Sequence, residues 1–88
     1  MFGYRIYTEN KGIDRIIKLL DNCGFDGATI FRATGVWKGT AENSVVIEIF
    51  STGGVDDSIR EFADKLCMLF EQESVMIQYF QANIEFRS

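Results

Sequence analysis

Apolar residues in this 88-residue chain recur at two different spacings, and the order of those spacings limits what it can fold into. Phe2, Tyr4 and Ile6 alternate with Arg5 and Tyr7, the period of a half-buried strand. From Ile13 the interval lengthens. Ile13, Ile16, Ile17 and Leu20 form an i, i+3, i+4, i+7 stripe opposite Asp14, Arg15, Lys18 and Asp21, which predicts an amphipathic helix. Thr8 or Asn10 is placed to cap it, and Gly24 suits the left-handed position past its end.

The spacing then returns to two. Phe25-Asp26-Gly27 reads as a turn, and Ala28 to Ala33 as a second strand running on through Gly35, a bulge or close-approach position, to Trp37. Lys38 to Asn43 reads as a hairpin loop, and Ser44 to Phe50 as a third strand with Val45, Ile47 and Ile49 on one face and Val46, Glu48 and Phe50 on the other. After Gly53-Gly54, Asp56 and Asp57 open a second helix where its dipole favours negative charge, with Ile59, Phe62, Ala63, Leu66, Leu69 and Phe70 as its apolar stripe. Val75 to Tyr79 is a fourth strand. Ile84-Glu85-Phe86, after a break at residues 81–83, has the pattern of a short fifth.

The order β-α-β-β-α-β, with right-handed crossovers, predicts a ferredoxin-like plait: a four-stranded antiparallel sheet with both helices on one face. Eighty-eight residues is the length of one domain, spanning 1–88. A chain this short buries only about 60–65% of its unfolded surface. With 47% hydrophobic residues, eight of them Phe, it carries more apolar surface than two layers readily hide. The face opposite the helices collects Arg5, Tyr7, Val46, Glu48, Phe50, Met76, Gln78 and Phe80. Two uses fit that face, contact between copies of the chain or a platform for a ligand.

A net charge of −4 argues against phosphate-backbone binding, so nucleic acid is not an expected partner. No run of about 20 apolar residues is present to span a membrane, and no charged-then-apolar leader opens the sequence, so the expected location is cytoplasmic. Cys23 and Cys67 sit inside helical apolar patterns and read as small buried hydrophobes.

With no histidine, the commonest general acid–base group and metal ligand is missing, so neither an enzyme nor a metal or cofactor site is expected. An enzyme would have to use a carboxylate such as Glu42 or Glu73 as its base. Gly53-Gly54 before a helix resembles a phosphate cradle, but Asp56 and Asp57 would repel the phosphate. The strongest site candidate is the set Trp37, Lys38, Glu42, Asn43 and Ser44. It offers an aromatic plate, a cation, a carboxylate, an amide and a hydroxyl within one hairpin, suited to a small polar ligand or a partner's loop. The same residues would also serve simply to pack and shape the turn.

The segments Phe25-Asp26-Gly27-Ala28-Thr29, Gly35-Val36-Trp37, Glu42-Asn43-Ser44-Val45-Val46-Ile47-Glu48-Ile49 and Gln72-Glu73-Ser74-Val75 occur in this order. Together they resemble a family of small bacterial and phage proteins of unknown function with an F-D-G-x-T, G-x-W, E-x-S-x-V-I-E-I and Q-E-S-V skeleton. The resemblance implies a ferredoxin-like fold, no assignable catalytic residue and, through the phage members, a host-directed role. Asn10-Lys11-Gly12 replaces the acidic start of the first helix that the family commonly has.

The sequence therefore predicts a non-enzymatic, homo-oligomeric binding module using the Trp37 hairpin to hold a small polar ligand or a protein partner. The alternative is a phage-type inhibitor that sequesters a host signalling nucleotide or blocks a defence protein.

Overall fold

The computed structural model describes all 88 residues. Six elements follow one another: β1 (Phe2–Glu9), α1 (Ile13–Asn22), β2 (Thr29–Trp37), β3 (Thr40–Ser51), α2 (Asp56–Phe70) and β4 (Met76–Gln81). The strands lie in the order β2-β3-β1-β4, every neighbouring pair antiparallel. This is the ferredoxin-like plait.

The core forms where the period-two and period-3.6 patterns meet. Tyr4 and Ile6 from β1 and Val45, Ile47 and Ile49 from β3 face Ile16 and Leu20 of α1 and Ile59, Phe62, Leu66 and Phe70 of α2. Both helices therefore cover one side of the sheet, and period two sends the alternate residues to the other.

The helix ends are tied by distant residues. The α1 N-cap position is Gly12, with no side-chain cap; Asn10 instead accepts the Gly12 N–H through Oδ1 at 3.3 Å, and Thr8 lies buried in the sheet. Past the end of α1, Gly24 is left-handed, at φ 83°. The last turn of α2 contains no basic residue, and the turn before α1 and its first turn supply them. Lys11 Nζ donates to the Phe70 carbonyl at 2.8 Å, and Arg15 donates to the Leu69 carbonyl at 3.0 Å. These cations meet the negative end of the helix dipole.

Three sequence expectations need correction. The segment 38–43 is not a six-residue loop. Lys38 and Gly39 alone make the turn, and Thr40 already pairs with Trp37. Gly35 forms no bulge; it pairs in register with Glu42 and lets that side chain lie across it. Residues 84–86 form no fifth strand. The last ladder contact is an exchange of backbone bonds between Met1 and Ala82, after which the chain leaves the sheet.

Candidate functional site

The β2–β3 hairpin outruns the rest of the sheet. β1 stops pairing at Glu9–Ser44, whereas β2 and β3 continue from Ala33–Ser44 through four further pairs to Trp37–Thr40. The molecule is correspondingly elongated, at 41 × 25 × 22 Å. Lys38 at φ 50° and Gly39 at φ 78° give the turn two left-handed residues, the type I′ geometry that matches strand twist. Trp37 stands at the tip with 67% of its surface exposed, and the Lys38 ammonium lies 5.6 Å from its ring centroid.

The other hairpin residues are spread along β3. Glu42 makes no ion pair, with Lys38 or any other cation. Ser44 donates its hydroxyl to the Thr8 carbonyl at 2.9 Å, anchoring the ribbon's base to β1, and the Asn43 carbonyl accepts the Asn10 N–H at 3.1 Å. By alternation Trp37, Glu42 and Ser44 lie on the helix-free side and Asn43 on the other. Trp37 and Lys38 meet at the tip, Glu42 flanks the ribbon below them, and Asn43 and Ser44 hold its base.

On the helix-free face, Arg5 lies opposite both Glu48 and Gln78, Tyr7 opposite Val46 and Met76, and Gly3 opposite Phe50 and Phe80. Arg5 Nε donates to Glu48 at 2.8 Å, and this bond raises the guanidinium pKa further above its ordinary value. The same guanidinium lies 4.5 Å from the Phe80 ring centroid, and Phe50 meets that ring edge-on at 5.9 Å. Phe80 lies so close over Gly3 that a Cβ there would overlap the ring, so residue 3 has to be glycine for this stack to form. Tyr7 donates to Gln78 at 3.0 Å. A polar centre is thus ringed by Phe31, Phe50 and Met76, all exposed.

Two features were not visible in the sequence because they join distant segments. Tyr4, buried in the core, donates its hydroxyl to Asp56 at 2.8 Å and accepts the Val55 N–H at 2.9 Å, so it holds the start of α2. Burial, chiefly, raises its pKa above the ordinary tyrosine value. Beside the free edge of β2, an open cleft of about 740 Å³ separates that strand from α1 and is lined by Ile17, Lys18, Asp21, Asp26, Ile30 and Arg32 among others. No group of three or more Asp, Glu, Cys or His side chains is placed to hold a metal ion, and Cys23 and Cys67 are free thiols. Glu42 and Glu48 lie six residues apart on one strand face, about 20 Å, too far to act as a pair.

Fold and face together define a ferredoxin-like α+β protein with an uncovered sheet side and a projecting aromatic hairpin. No protein-family model matches the chain, and no curated protein does. Solved structures do. The chain is similar to CPII, a nitrogen regulatory PII-like protein from Thiomonas intermedia K12 bound to ADP, AMP and bicarbonate, at 18% identity over 97% of this chain and 94% of that one, with a TM-score of 0.65. It is also similar to a phage SAM lyase in its apo state, at 21% identity over 99% of this chain and 92% of that one, again with a TM-score of 0.65. No helix is long and apolar enough to cross a membrane.

Proposed function

We propose that the chain is a non-enzymatic, homo-oligomeric binding module that holds a small polar ligand against Trp37 at the tip of the β2–β3 hairpin. The observation that carries this reading is the hairpin itself. A two-stranded ribbon is marginal on its own in water, and this one extends past the sheet to present an exposed tryptophan beside a cation. A ring in that position gains most when a ligand or a second copy covers it. The exposed apolar ring of Phe31, Phe50 and Met76 on the same side supplies a surface for association. The likeness to a plait bound to ADP, AMP and bicarbonate supports small polar molecules as the class to test first.

A second reading is favoured by the likeness to a phage protein, together with the phage members of the resembled family. Here the same surface serves a phage inhibitor that sequesters a host nucleotide or blocks a defence protein.

Trp37 is the only tryptophan, so its fluorescence reports the site directly. Titration with AMP, ADP and S-adenosylmethionine should give a saturable change with at least one of them. Native mass spectrometry should then show the ligand's mass on an oligomer, and Trp37→Ala should lose it while keeping the wild-type circular dichroism spectrum. Turnover of S-adenosylmethionine would overturn the non-enzymatic reading. A host protein retained in place of any small molecule would favour the inhibitor.

A further inference from the structure

Besides the outer edge of β4, two unpaired β features stand on opposite sides of this molecule. The first is the free edge of β2, nine residues long with Arg32 as its one charge. Natural edge strands are commonly blunted by several charges, proline or a covering segment, and this one has none of these beyond Arg32. The type I′ turn makes Trp37–Thr40 a hydrogen-bonded pair, so by alternation Ile30, Arg32, Thr34 and Val36 direct their amides and carbonyls outward. The second is the segment 83–87. Its residues alternate as a strand's do, with Ile84 and Phe86 on one side and Asn83, Glu85 and Arg87 on the other. None of them makes a backbone hydrogen bond, and Phe86 is 85% exposed.

The two cannot meet within one chain. β4 and β2 are the opposite edges of a four-stranded sheet, three spacings or about 14 Å apart. Crossing beneath the sheet would use about four of residues 83–87 as the span itself, so that segment cannot also pair along β2.

We infer that residues 83–87 of one copy add as an antiparallel strand to the β2 edge of a second copy, with Glu85 opposite Arg32. The charges select this register and direction. Lys18 and Arg32 line the cleft beside β2, and neither forms an ion pair within the chain. Glu85 placed opposite Arg32 shares its face of the sheet, the face of the cleft that both cations line. Arg87 then falls beside Ile30, toward Asp21 and Asp26 of the same cleft. The parallel direction would carry Arg87 toward Thr34 and away from those acids. On the helix-free side, Phe86 comes opposite the exposed Phe31 and Ile84 opposite Ala33, aromatic and aliphatic cross-strand pairs. The contact joins different surfaces of the two copies, so it repeats around a ring when the rotation closes.

This inference rests on the reading that copies of the chain associate, and its test separates the two. Arg32→Glu and Glu85→Lys each place like charges opposite one another and should weaken self-association roughly tenfold, read by analytical ultracentrifugation. The double variant Arg32→Glu/Glu85→Lys restores the pair and should restore association. Both positions are exposed, so folding is not at stake. Hydrogen exchange gives a second readout: Ile30, Arg32 and Thr34 amides should be protected in the wild-type oligomer and lose that protection in either single variant. Single variants that associate as tightly as wild type, or edge amides that exchange freely in the oligomer, would overturn the strand pairing and leave the open-face reading standing. A wild-type chain that stays monomeric at its highest soluble concentration would overturn both.

Discussion

Tyr4 joins the sheet to the second helix through a single hydroxyl, which both donates to Asp56 and accepts from the Val55 amide. Removing it strands the amide of Val55, the residue just before α2, at a half-buried site, so Tyr4→Phe should cost about 1 kcal/mol, since water can reach part of the vacated geometry. The phenol also sets a pH limit. Burial raises its pKa, so the folded state keeps the proton where the unfolded chain gives it up near pH 10. The resulting stability is complete below pH 10 and is lost as the pH climbs through the folded value. Urea midpoints measured from pH 8 to 11 should therefore fall at the alkaline end for wild type, and fall less for Tyr4→Phe. An equal fall in both would mean that other groups carry the alkaline loss. In the sequence Asp56 reads only as a charge suited to a helix start, because its partner lies 52 residues away. Local pattern shows that Tyr4 faces inward; it cannot show what its hydroxyl meets.

At the scale of the element, the plait was legible because each buried strand and helix must keep its period against the core. Legibility ended where burial ended. Beyond Ser44 the ribbon has no helix behind it, so Thr40 to Asn43 need not alternate, and a polar stretch that pairs as strand looks like loop. What holds the ribbon in register is its turn. Gly39 at φ 78° is where a β-branched residue meets the steric penalty of the left-handed region. Gly39→Val should fray the pairs from Thr34–Asn43 outward and leave the core intact. Trp37 fluorescence anisotropy should drop, while the melting temperature changes little because no core residue lies in the ribbon. Unchanged anisotropy would show that something other than the turn fixes the tip. The segment 84–86 failed for the opposite reason. Its alternation is that of a strand, but alternation does not specify whose edge completes it, and within one chain the segment pairs with neither free edge.

For the molecule as a whole, the issue is how an 88-residue plait manages its uncovered side. The Arg5–Glu48 pair sits at the centre of that face, with the Glu48 side chain only 14% exposed, and the apolar groups lie around it. Covering such a face buries the ion pair as well, which adds little stability but fixes orientation, since the two charges must stay together. Met76 tests whether the face is covered. It is 58% exposed in the single chain, lies beside Tyr7 on β4, and is remote from the β2 edge, so a charge there disturbs neither the core nor the inferred strand pairing. If copies associate through this face, Met76→Asp should shift them toward monomer while leaving the circular dichroism spectrum and the Trp37 emission of the monomer unchanged. Salt separates the two contacts. Burial of Phe50 and Met76 is strengthened by sulfate, whereas the Glu85–Arg32 pairing is screened by it. If the open face dominates association, added sodium sulfate should tighten wild type and partly rescue Met76→Asp. If added salt loosens the oligomer, the charged strand contact is the stronger of the two, and the open face is left free for a ligand.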